Sequence, residues 1–267
     1  MALVRRGYGC TDVGRRRAIN EDAFLVDDAL GLYVVADGMG GHSSGEVASH
    51  AAIETLHNMV RRECNALTAV EDLPKGLELP GVSRRPVTMR RALRVLESAV
   101  QHATYMVFGL AENDPERRGM GTTLSVLFLR GDFALTAQVG DSRVYRVREG
   151  VAEQITEDHT LIAWQLKRGL ITPEEARTSQ QKNVITRAVG SRDYVQVDTN
   201  CVAVESGDAF LICSDGLHGY FGEPEIADVM RLGPETATRR LVDLANERGG
   251  RDNITSIAVQ LLAADDA

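Results

Sequence analysis

The chain has 267 residues, 43% of them apolar and 25% charged, the usual mix of a water-soluble globular protein. Its formal net charge of -8 argues against a nucleic-acid partner, which needs clustered Lys and Arg. No run approaches the roughly 18 apolar residues of a membrane span, and "MALVRRGYGC" lacks the apolar centre of a signal peptide, so a cytoplasmic protein without a membrane segment is expected.

The first third alternates strands and turns. "AFLVDD" and "GLYVVAD" read as a hairpin through Ala29 and Leu30. A helix follows, capped by Ser43 or Ser44, with Glu46 suited to its positive end and Ala48, Ala52, Leu56, Met59 and Val60 on one face. Three prolines and two glycines make 72–86 a loop, with a small basic cluster at Arg84 and Arg85. Leu93, Leu96, Val100, Ala103, Val107 and Leu110 then keep helical spacing and read as a core-packing stripe.

Beyond it the pattern turns to strands, "TLSVLFLR", "FALTAQVG", "SRVYRVR" and "VAEQIT", whose short connections imply antiparallel pairing. Residues 158–190 break this pattern with a helix around Leu161–Lys167, the turn "RGLITPEEA" and the polar stretch "RTSQQKN". Strands return at 194–204 and 209–213, helices follow near 223–231 and 235–248, and "ITSIAVQLL" is the last strand. Cys10, Cys64, Cys201 and Cys213 show no C-x-x-C or metal-like spacing; Cys10, Cys201 and Cys213 read as small buried residues, and a reducing compartment fits. No repeat or linker divides the chain. It reads as one domain over 1–267, α+β, with two packed antiparallel sheets covered by helices.

Two apolar strands end in Asp-Gly, at Asp37-Gly38 and Asp215-Gly216, and two further acidic sites lie in polar turns, Glu21-Asp22 in "RAINEDA" and Asp252 in "GGRDNIT". Each alone reads as easily as a turn. Together they would be costly to gather, because carboxylates a few ångströms apart raise each other's pKa until one protonates or a cation arrives. Oxygen ligands without His or Cys select hard ions, Mg²⁺ or Mn²⁺, and a shared carboxylate between two ions suits displacement at phosphorus.

The motifs "TDVGRRRAINEDAF", "VVADGMGGHSSGEVAS", "GTTLSVL", "VGDSRVYRV", "DHTLIAWQLKRGLITPEEA", "ITRAVG", "LICSDGL" and "RDNIT" occur in that order. From about residue 7 to 262 the chain resembles the metal-dependent protein phosphatases of the 2C type, in their compact bacterial form. The resemblance implies a four-layer α/β/β/α sandwich and a dinuclear Mn²⁺/Mg²⁺ centre between the sheets. It implies that Asp37 bridges the ions and that Asp215 and Asp252 hold the first. The Gly38 carbonyl and the Glu21-Asp22 pair would hold the second, directly or through water, with Asp22 the closer acid. A bridging water or hydroxide would attack phosphorus directly, without a phosphoenzyme.

By the same resemblance Arg17 binds phosphate oxygens, while Arg15 and Arg16 read as solvated. Asp141 matches a position that takes a third, weaker ion with Asp215; the other reading is a structural pair with Arg143. Asn253 is expected to support Asp252 through hydrogen bonding. Met39 stands where eukaryotic relatives have a histidine that protonates the leaving group. His42 follows three residues later, as general acid or as a structural residue at the helix start. His159 is expected to fix a turn, and Thr122 and Thr123 to pack and hydrogen-bond in the core.

Two departures stand out. The flap at 177–183 carries "SQQKN" where a His-Pro-x-Arg-Asn-like sequence is usual, and Gly219 stands where an acid usually follows the aspartate of "SDG" by four positions. The expected substrates are phosphorylated Ser/Thr proteins of a cognate kinase pathway, met by a monomer. The competing readings are a catalytically dead regulatory binding module and a two-metal hydrolase of small phosphoesters or nucleotides.

Overall fold

The structure is a computed structural model and describes residues 3–41, 44–71, 84–179, 181 and 184–264. Among the described residues eleven strands form two antiparallel sheets. In the first, β1 (Leu3–Asp12), β11 (Ile254–Ala263), β10 (Ala209–Cys213), β7 (Arg143–Arg148) and β8 (Val151–Gln154) lie in that order. In the second the order is β2 (Asp22–Asp27), β3 (Leu32–Met39), β5 (Leu124–Arg130), β6 (Phe133–Val139) and β9 (Asp198–Ala203), with the short β4 (Gly121–Thr122) added to the end of β3. The two terminal strands pair along their whole length, from Leu3 opposite Ala263 to Asp12 opposite Ile254.

Strand alternation explains why β3 and β10 are apolar without a break. On β3, Leu32, Val34 and Ala36 pack under the helices α1 (Ser44–Glu71) and α2 (Arg84–Asn113), while Tyr33 and Val35 face the other sheet. On β10, Leu211 and Cys213 pack under α6 (Glu223–Met230) and α7 (Pro234–Glu247), while Phe210 and Ile212 meet Tyr33 and Val35 between the sheets. Strands covered on both faces must be apolar on both. Each fully buried side chain of this size contributes about 1.5–3 kcal/mol. The result is the four-layer α/β/β/α sandwich, with Ala48, Ala52, Leu56, Val60, Leu96, Val100, Ala103 and Val107 buried on the helix faces that the spacing marked.

Some boundaries differ from the sequence reading. The helix carrying the Leu93 stripe begins at Arg84, inside the expected loop, because Pro86 in a first turn removes no helical hydrogen bond. Residues 72–83 lie outside the described residues. "PEEA" is not a turn but the helix α4 (Pro173–Thr178), closed by a capping box between Thr172 and Glu175. It follows α3 (Leu161–Lys167), which has the expected bounds. Beyond β10 the chain winds directly into a single helical turn, α5 (Asp215–His218). The strand expected over 194–204 is confined to Asp198–Ala203.

Candidate metal centre

β2 and β3 pair so that Asp22 lies directly opposite Asp37. Both fall on the face that carries Phe24, Tyr33 and Val35, so both carboxyls sit at the end of the space between the sheets. Asp215 enters from the opposite sheet at the end of β10, and Asp252 from the loop before β11. A cleft of about 300 Å³ opens there, lined by Arg17, Glu21, Asp37, Gly38, Asp141, Asp215, Asp252 and Asn253 together with Met39, Gly40 and Ile185.

The backbone around these residues is tightly constrained. A Cβ on Gly38 would stand 2.1 Å from the Gly45 carbonyl oxygen, and one on Gly216 would stand 1.9 Å from the Asn253 carbonyl oxygen. Only glycine lets the two Asp-Gly turns lie this close to the neighbouring chain. The Asp37 amide donates to Thr123 Oγ1 (2.9 Å), and its carbonyl accepts from Thr122 Oγ1 (2.9 Å), so the buried threonines fix the strand end as expected. Asn253 makes three hydrogen bonds that bind its loop to the segment before β2. Its Oδ1 accepts from the Glu21 amide (2.8 Å), and its Nδ2 donates to the carbonyls of Val13 (3.1 Å) and Ile19 (2.9 Å).

The acids are not equivalent. Asp22 is 4% exposed, with Oδ2 accepting from Ser214 Oγ (2.8 Å) and Thr255 Oγ1 (2.6 Å), while its Oδ1 is buried without a hydrogen-bond partner. Glu21 lines the cleft, with Oε1 accepting from the Gly45 amide at the start of α1 (3.1 Å). The register places Asp22 opposite Asp37, with its carboxylate against the hydroxyls of the other sheet. Arg17, half-exposed, donates to Asp252 Oδ2 at 2.8 Å. Arg143 binds Asp158 through two nitrogens (Nε to Oδ1 3.0 Å, Nη2 to Oδ2 2.7 Å), so the alternative pairing with Asp141 does not form, and Asp141 faces the cleft.

Burial raises the pKa values of Asp22, Asp37, Asp141 and Asp215, and neighbouring carboxylates raise them further. Asp22 is pushed up to about 7, chiefly by desolvation, against the lowering effect of its two hydroxyl donors. Desolvation followed by the charge of Asp215 lifts Asp141 to about 7. Asp37 lies well above the usual carboxylate range through burial and then the charges of Asp22, Asp215, Asp141 and Asp252. Asp215 is raised by desolvation and Asp252, while hydrogen bonding with Asp37 opposes the shift. Carboxyls close enough to share a proton mark a place where a cation can replace it.

The donor set fits hard divalent ions: oxygen ligands, one orphaned buried oxygen on Asp22, and raised pKa values that a cation would lower. Among the described residues no three acidic, His or Cys side chains are gathered into a ready cage.

A family model described as protein phosphatase 2C matches residues 11–243. The chain belongs to the protein phosphatase 2C family. It is 33% identical over 255 residues to the serine/threonine phosphatase stp of Listeria innocua, covering 94% of this chain and 93% of that one. To the protein phosphatase PhpP of Streptococcus pneumoniae it is 34% identical over 260 residues, covering 96% and 97%. A crystal structure of the catalytic domain of the serine/threonine protein phosphatase PstP in complex with two manganese ions superposes with a TM-score of 0.78 at 32% identity, covering 98% of this chain and all of that one.

Within this protein phosphatase 2C fold His159, expected to fix a turn, ties the Gly140 turn to the start of β9. Its Nδ1 accepts from the Gly140 amide (3.2 Å), and its Nε2 lies 3.0 Å from Asp198 Oδ2. His42 and the flap residues Gln180, Lys182 and Asn183 lie outside the described residues. Sequence reasoning passed over Ile185, which reaches the cleft through its bridge to Thr160, and the paired hydroxyls of Ser214 and Thr255. Ser214 directly before the acid of "CSDG" and Thr255 three residues after the acid of "DNITS" were the available signal for that pair. Among the described residues no helix is long and apolar enough to cross a membrane.

Proposed function

We propose that the chain is one catalytic domain that removes phosphate from phosphoserine and phosphothreonine in proteins, using two Mn²⁺ or Mg²⁺ ions. The observation that carries this reading is the Asp22–Asp37 pair at the end of the inter-sheet space, with Asp37 lining a cleft shared with Asp215, Asp252 and a half-exposed arginine. Asp37 would be shared by both ions, Asp215 and Asp252 would hold one, and the Gly38 carbonyl with Glu21 and Asp22 would hold the other. Asp141 with Asp215 would take a weaker third. When bound, the ions acidify water near neutral pH and offset charge on the phosphoryl oxygens.

The remaining chemistry belongs to the chain. Arg17 exchanges its Asp252 contact for two phosphate oxygens, which its planar guanidinium can bind side by side. Asn253 keeps the Arg17 loop and the Asp252 loop in one register through its three hydrogen bonds. Met39 and Ile185 give the cleft apolar walls beside the acids. The physiological reading is a cytoplasmic monomer that reverses a serine/threonine kinase.

The test is phosphate release from a phosphothreonine peptide and from nucleotides, with Mn²⁺ and then with excess chelator. Metal-dependent release from the peptide is expected. Release from nucleotides alone would rule out the phosphoprotein reading, and no release from either would leave the binding-module reading.

A further inference from the structure

Asp141 sits in the loop between β6 and β7, and its neighbours are tied to the sheet that carries Asp37. Gln138 Nε2 donates to the carbonyls of Gly140 (3.1 Å) and Ser142 (2.6 Å), Ser125 Oγ donates to the Ser142 carbonyl (2.8 Å), and Ser142 Oγ lies 2.8 Å from Thr123 Oγ1. The carbonyl of Asp141 itself is held from the other side. His218 Nε2, three residues beyond Asp215 in the same helical turn, lies 3.0 Å from it. A carbonyl only accepts, so Nε2 carries the proton. Desolvation followed by the charge of Arg143 pushes His218 down to about 3, so the ring is neutral and has one N–H to give.

This tie joins the two elements that bring carboxylates to the cleft from different sides, the β6–β7 loop with Asp141 and the turn α5 with Asp215. We propose that His218 is a positioning residue whose Nε2–H bond to the Asp141 carbonyl sets the spacing of the Asp141 and Asp215 carboxylates. The role in metal binding rests on the phosphatase reading above; the tie itself does not.

Three substitutions separate the tie from mere bulk. His218→Gln places an amide nitrogen near the reach of Nε2, His218→Asn ends short of it, and His218→Phe keeps the ring without a donor. The first readout is amide hydrogen exchange over residues 140–142 in chelator-treated protein. Exchange is expected to match wild type in the Gln variant and to rise about tenfold in the Asn and Phe variants, the worth of one hydrogen bond. The second is calorimetric Mn²⁺ titration, in which the weakest-bound ion should lose about tenfold in affinity in Asn and Phe and recover in Gln. If Phe does not fold, the Gln and Asn pair decides. Equal behaviour of Gln and Asn overturns the proposal. Wild-type protein that releases no phosphate with Mn²⁺ would instead sink the functional reading, while the exchange series would still decide the tie.

Discussion

Asp22→Asn should make the metal-free protein more stable at neutral pH while impairing metal-dependent turnover. In the folded chain Asp22 is pushed from 3.8 up to about 7 by burial. A carboxyl raised in this way binds its proton more tightly folded than unfolded. Its contribution is therefore complete below about pH 4 and is lost as pH rises through about 7. At about 1.4 kcal/mol for each pH unit between the two values, the loss by pH 8 is about 4 kcal/mol. An asparagine can keep its oxygen toward Ser214 and Thr255 without a charge to desolvate, although its amide gains no hydrogen-bond partner where Oδ1 has none. Urea unfolding with chelator at several pH values from 4.5 to 8 measures the difference. The variant should gain on wild type from pH 4.5 to about 7 and then level off, a few kcal/mol ahead. A difference that stays flat with pH would refute the reasoning, because the buried carboxyl would then not be the titrating group.

Asn253→Ala leaves the Glu21 amide and the carbonyls of Val13 and Ile19 without their partner, and should cost about 3 kcal/mol in urea unfolding. Arg17→Ala removes a half-exposed ion pair, so stability should change by less than about 1 kcal/mol. Steady-state kinetics on a phosphopeptide should show a raised KM for that variant, and unchanged kinetics would remove Arg17 from phosphate binding. Gly219→Asp requires the Asp215 carbonyl to give by a few tenths of an ångström, since an added Cβ meets its oxygen at 3.1 Å and nothing else. It should tighten the third Mn²⁺ in calorimetric titration, and titrations that superpose on wild type would show that the missing acid does not weaken that site.

The sequence by itself determined the layers, because hydrophobic period is a local property. The unbroken apolar runs of β3 and β10 announced strands covered on both faces, and the Leu96–Val107 stripe announced a helix covering one of them. It also determined which acids could matter, since Asp-Gly after a buried strand is written in adjacent residues. Even the α4 helix was legible in "TPEEA", through a capping threonine, a first-turn proline and a glutamate at the third position. What only the tertiary structure decided was how residues far apart in the chain meet. The β2–β3 register put Asp22 opposite Asp37, and sheet packing brought Ser214 and Thr255 onto its carboxylate. Arg143 chose Asp158 over Asp141, and His218 reached across to the Asp141 carbonyl. Periodicity along one strand fixes which face a side chain takes. It carries no information about which side chain arrives opposite, because that depends on pairing and packing between segments that the chain brings together only when folded.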